Sequence, residues 1–106
     1  MSFGLPDDAV ERIRRIFSAH APVERVLVYG SRAKGNSREG SDIDLVMYGP
    51  PDSTEYSLIV NELDDLMLPW KIDLSFRDTI DNPALVEHID RVGKVLYERN
   101  EGQKLI

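Results

Sequence analysis

Two aspartates two residues apart, Asp42 and Asp44, follow a Gly30-Ser31 pair, and a third, Asp73, lies in a later apolar run. If the segment around Asp42 and Asp44 is a strand, both carboxylates leave one face while Ile43 and Leu45 leave the other, because side chains alternate along a strand. Two carboxylates side by side repel each other and lose hydration unless a cation lies between them. A divalent metal is the economical explanation. The glycine upstream allows a sharp turn close to a ligand. Backbone N–H groups at the start of a helical turn over Ser31-Arg32-Ala33-Lys34 would then face an anion such as a phosphate.

The ligand chemistry narrows the metal. Cysteine is absent and the histidines are two, His20 and His88. Oxygen-only ligands point to magnesium or manganese rather than zinc. Three carboxylates can hold two such ions, with Asp42 and Asp44 shared. Asp73 would serve mainly the second ion and accept the proton of an attacking hydroxyl. Gly30 and Ser31 would hold phosphate oxygens, with Arg32, Lys34 and Arg38 offering charge to a leaving pyrophosphate. The pattern is neither a P-loop nor a dinucleotide fingerprint. A polar hairpin with a solvated face is the plain alternative, but it leaves acids clustered beside a Gly-Ser turn unexplained. Other polar residues read as structural: Lys71 in a salt bridge, Trp70 in the sheet-edge core, His20 at a helix end, His88 on a helix surface.

The elements that must position these residues follow from periodicity. Val10, Ile13, Ile16 and Phe17 recur at helical spacing after Pro6-Asp7-Asp8, and Ala21-Pro22 ends that helix. Residues 23–29 read as a β-rich central strand and residues 41–48 as a second, stopped by Gly49-Pro50-Pro51. Asp52 or Ser53 caps an amphipathic helix marked by Tyr56, Ile59, Val60, Leu63, Leu66 and Met67, with Asn61, Glu62, Asp64 and Asp65 on its wet side. Lys71 to Phe76 alternates as a third strand, and Asn82-Pro83 opens a last helix ended near Gly93. Residues 94–98 favour an edge strand over a helical extension. The fold class is α/β (α+β), a small mixed or antiparallel sheet flanked by helices. The connection from Gly30 to Asp42 is too short for a crossover helix, so the first two strands should pair antiparallel.

Composition sets the outer limits. The chain has 106 residues, which suits one domain over residues 1–98 and a flexible tail over 99–106. A net charge of -6 argues against a surface that coats duplex nucleic acid. No secretory signal and no membrane-length apolar run is visible, so cytoplasmic residence is expected.

The combination G-S-R-A-K-G, a short gap and S-D-I-D-L resembles the signature of the minimal nucleotidyltransferases of the DNA polymerase β-like superfamily. Gly30, Ser31, Asp42 and Asp44 match its functional positions, and Asp73 in K-I-D-L matches the third carboxylate. Ser41, which opens the S-D-I-D-L run, joins Gly30, Ser31, Arg32 and Lys34 on the nucleotide side. The run Leu68 to Leu74 resembles a subgroup that is partnered by a small all-helical protein of the HEPN type. The resemblance implies transfer of a nucleotide, AMP from ATP, to a hydroxyl, in the toxin–antitoxin branch a tyrosine of the helical toxin. With no helical substrate-binding domain in this chain, the acceptor site is expected from a partner or another subunit, and an exposed helix face on so small a domain suits a homo- or hetero-oligomer. Two alternatives stay open: transfer to a small-molecule alcohol with a separate substrate-binding subunit, and a non-catalytic protein that neutralises a toxin by binding.

Overall fold

The structure is a computed structural model that describes residues 3–35, 41–49 and 52–99. Its order is α1 (Asp7–Ser18), β1 (Arg25–Tyr29), α2 (Ser31–Lys34), β2 (Ile43–Tyr48), α3 (Ser53–Asp65), β3 (Ile72–Phe76), a 3-10 turn (Arg77–Thr79), α4 (Pro83–Val92) and β4 (Lys94–Glu98). Apart from the 3-10 turn, this is the expected order, with residues 94–98 a strand. The four strands form one mixed sheet in the order β3-β2-β1-β4. β1 is antiparallel to both β2 and β4, as expected for the short β1–β2 connection, whereas β2 and β3 run parallel.

Alternation along the strands divides the molecule into layers. Val26 and Val28 of β1, Ile43, Leu45 and Met47 of β2, and Leu74 of β3 join Val10, Ile13 and Phe17 of α1 and Ile59 and Leu63 of α3 in the main core. The opposite face is thinner. There Leu27 and Val46 meet Ile89 of α4, with Tyr29, Tyr48, Ile80 and Leu85 around them. α4 therefore covers only part of its face, and the polar ends of β2 and β3 lie beyond the apolar patch.

Local signals explain the helix ends. The Asp52 carboxylate accepts the Glu55 N–H at 2.8 Å, and Asn82 Oδ1 accepts the Ala84 N–H at 2.9 Å, with Pro83 opening α4. Among the described residues no helix is long and apolar enough to cross a membrane.

Four expectations need correction. Met67, expected on the apolar side of α3, lies just past the end of that helix and is 84% exposed. His20 does more than end a helix, for its side chain is buried and its ring nitrogens meet Glu55 Oε2 at 2.7 Å and Glu62 Oε1 at 3.0 Å. Glu62 therefore does not belong wholly to the wet side of α3. Arg99, assigned to the tail, is tied in. Its N–H donates to Glu24 O at 2.9 Å, and its guanidinium reaches Val23 O and His20 O, each at 3.1 Å. The rest of the expected tail, residues 100–106, lies outside the described residues.

Candidate active site

β1 ends at Tyr29, and Gly30 turns the chain with φ +77° into the single turn of α2. A side chain at Gly30 would place its Cβ 2.6 Å from Asp44 Oδ2, so the backbone can approach this carboxylate only because the residue is glycine. Ser31 follows as the first residue of α2, half-buried, with Lys34 exposed at its end.

The acids lie across the sheet. Tyr29 is registered opposite Asp44, and Asp44 opposite Asp73, so the three side chains form a row over β1, β2 and β3. Side chains directly opposite on neighbouring strands are close enough to interact. Asp42 falls just before Ile43, the first residue of β2, and is exposed. Strand pairing thus begins slightly later than the predicted residues 41–48, and Asp42 enters the site from the end of a loop.

Electrostatics single out Asp44. Burial, then the charges of Asp73 and Asp42, push its carboxyl above the usual carboxylate range, and Arg32 opposes this only in part. Tyr29 lies alongside. Burial pushes its phenol up, the neighbouring Ser75 side chain works the other way, and Asp44 and Asp73 add upward. The Tyr29 ring also meets His88 of α4 edge-on, with ring centroids 6.3 Å apart. His88 is therefore half-buried against the row rather than purely on the helix surface.

The basic residues divide. Lys34 is exposed, and Arg38 lies outside the described residues. Arg32 is 3% exposed, and its donors go to backbone carbonyls. Nε donates to Ser41 O at 3.1 Å and Asp42 O at 3.2 Å, Nη2 to Ser41 O at 2.6 Å, and Nη1 to Phe3 O at 2.9 Å. Burial lowers its pKa, while Asp42 and Asp44 raise it. Ser41 is half-buried and engaged through its carbonyl. The salt bridge expected of Lys71 is not formed among the described residues. Trp70 is half-buried against the main core, as expected, and lies under Arg32.

Could these residues hold a divalent cation? The donors are carboxylate oxygens, they load like charge onto a half-buried Asp44, and a glycine leaves room beside it. That chemistry fits magnesium or manganese. Among the described residues no three acidic, histidine or cysteine side chains are gathered into a ready-made metal cage. A groove of about 630 Å³ runs along the open side of β3, lined by Tyr56, Ser75, Phe76 and Ile80 among others, and none of the three aspartates lines it. The acids lie instead on the open part of the sheet beside α4.

A strand, a glycine turn, a serine-led helical turn and opposed aspartates on the next two strands make up a nucleotidyl-transfer scaffold. The chain belongs to the polymerase beta nucleotidyltransferase family, which matches residues 11–102. It is 29% identical over 85 residues to a candidate protein adenylyltransferase of Methanocaldococcus jannaschii, MJ0128, covering 78% of this chain and 86% of the relative. Its fold is similar to that of a chain in a toxin–antitoxin complex with AMP-PNP, with a TM-score of 0.66 at 17% identity over 95% of this chain and 80% of that one. It is also similar to a chain in a complex of a tri-AMPylated HEPN toxin with its MNT antitoxin from Shewanella oneidensis. There the TM-score is 0.63 at 15% identity, over 92% and 76% of the two chains. The resemblance read from the G-S and D-I-D motifs is thereby borne out at the level of family and fold.

Proposed function

We propose that this nucleotidyltransferase moves AMP from ATP to a tyrosine hydroxyl of a small all-helical HEPN-type partner, and so acts as its antitoxin. The observation that carries the reading is the row in which Asp44 and Asp73 face each other beside the Gly30-Ser31 turn. The names of the similar proteins agree on adenylyl transfer and on toxin–antitoxin complexes. The net charge of -6 suits a protein acceptor better than a polynucleotide.

In this reading residues 1–98 act as one domain. Bound magnesium or manganese, two ions held by Asp42, Asp44 and Asp73, would neutralise phosphate charge and make the acceptor hydroxyl more acidic. The Gly30 and Ser31 N–H groups and the Ser31 hydroxyl hold the outer phosphates, with Lys34 and Ser41 beside them. The acceptor oxygen forms a bond to the α-phosphorus as the bond from that phosphorus to its bridging oxygen breaks. Pyrophosphate leaves with the electron pair, and Asp73 receives the hydroxyl proton.

Incubation of the purified protein with Mg2+, α-labelled ATP and a purified small all-helical HEPN-type protein tests this reading. Label on a tyrosine of the partner is the expected outcome. Label confined to an added small alcohol would favour the small-molecule alternative. A stable complex with no label on any component would favour neutralisation by binding alone.

A further inference from the structure

Arg32 is the most deeply buried charged side chain among the described residues, and it lies between the parts of the site. It directly follows Ser31, so it belongs to the turn assigned to the phosphates. Its guanidinium makes four hydrogen bonds, to the carbonyls of Phe3, Ser41 and Asp42. The pairing of β2 with β1 begins at Asp44, and that with β3 at Ile43, so neither ladder includes Asp42. Arg32 supplies the tie that the ladder does not. Its Cζ also lies 5.8 Å from the ring centre of Trp70, three residues before Asp73. One planar cation therefore touches the segments that present Ser31, Asp42 and Asp73.

We infer that Arg32 is a positioning residue for the metal-binding aspartates, acting on Asp42 through the backbone and not by touching the nucleotide. The inference rests on the metal-dependent reading proposed above. It departs from the expectation that Arg32 offers its charge to a phosphate. The chemistry needs arginine in particular. A rigid fork can serve neighbouring carbonyls while its face lies over an aromatic ring, and a lysine ammonium cannot reproduce that geometry. Lysine is, however, a competent phosphate binder as a point charge. Arg32→Lys therefore separates the two roles, since it keeps the charge and loses the fork.

The test measures Mn2+ binding to the nucleotide-free protein from the electron paramagnetic resonance signal of free Mn2+, beside the KM for ATP at saturating Mg2+. In Arg32→Lys, Mn2+ binding should weaken by about 10–100-fold, the range seen when a residue that orients metal ligands is lost. Its KM for ATP at saturating Mg2+ should stay near that of the wild type. Wild-type Mn2+ affinity in Arg32→Lys, or a raised KM with unchanged metal binding, would overturn the inference. Failure of the wild type itself to bind Mn2+ would overturn the metal reading as well, which tells the two failures apart. Should Arg32→Lys not fold, the wild type decides through the NMR signal of the Arg32 Nε–H. Slow solvent exchange, unchanged on adding Mg2+ and a non-hydrolysable ATP analogue, supports the positioning role. Fast exchange that slows only when the analogue binds overturns it.

Discussion

Two groups of ionisable side chains in this small protein solve the same electrostatic problem in opposite ways. In the helical layer, His20 lies between Glu55 and Glu62, with one carboxylate on each ring nitrogen. Both nitrogens can donate only when the ring is an imidazolium, so a cation is enclosed by two anions. On the other face of the sheet, Asp44 is opposed by Asp73, with Asp42 nearby. Arg32, the cation whose charge opposes this, spends its hydrogen bonds on carbonyls. The first group is complete within the chain. The second concentrates like charge that Arg32 offsets only in part, and strained electrostatics of this kind gather at functional sites. The contrast separates a clamp that holds the fold from the site proposed above to take a cation and a triphosphate.

The largest effect should come from neutralising the uncompensated group. Asp44→Asn should lower nucleotidyl transfer by at least about 10²–10³-fold, the scale of losing one preorganised charge-stabilising group. Its melting temperature without metal should equal or exceed that of the wild type, because like-charge repulsion is relieved. Labelled-AMP transfer and thermal melts measure the two halves, and a large loss of stability would break the comparison. Gly30→Ala should act on the same site through space. Its Cβ would meet Asp44 Oδ2 at 2.6 Å, and its backbone would have to hold φ +77° with ψ -155°, a region essentially reserved for glycine that alone costs about 1–3 kcal/mol. Transfer should fall with it.

The complete group should behave in reverse. His20→Gln should destabilise the fold by about 2 kcal/mol, the worth of hydrogen bonds involving charged groups, and leave transfer by the folded protein nearly intact. Denaturant titration checks the first part and initial rates the second. The smallest and most telling effect is the pH dependence. Burial disfavours the His20 imidazolium, but the hydrogen bonds and charges of Glu55 and Glu62 outweigh it and raise its pKa above 6.5. The stability it contributes is full below that value and is lost as pH rises through the raised folded value. Asp44 is also raised, above 3.8. In metal-free buffer its contribution likewise fades as pH rises past that value, because its charged form is the disfavoured one. Melts across the pH range should lose the upper step in His20→Gln and the lower one in Asp44→Asn. Saturating Mg2+ should flatten only the lower.

Much of this architecture was legible because it is local. Helical and alternating apolar spacing marks the three longer helices and the four strands from Val10 to Leu96, and Gly30-Ser31 with Asp42-Ile43-Asp44 marks one strand, a turn and the next strand. The opposition of Asp44 to Asp73 depends on a parallel pairing across a full helix, which no local pattern specifies. The clamp was harder still, since His20 meets carboxylates 35 and 42 positions away. A faint signal existed: Glu55 and Glu62 are seven apart on α3 and so share a helix face. Arg32 looked like its loop neighbours Lys34 and Arg38. Its burial follows from how the Phe3 carbonyl and the chain before β2 fold over it, and composition carries no trace of that.

Trp70 is the only tryptophan in the chain, and it sits beneath the guanidinium that ties down Asp42. The protein thus carries a built-in optical probe beside the tie to Asp42. A displacement of Arg32 changes the field across the indole and with it the colour and yield of its emission. The integrity of this tie can then be followed in a fluorimeter on unlabelled protein, with no acceptor present and no turnover.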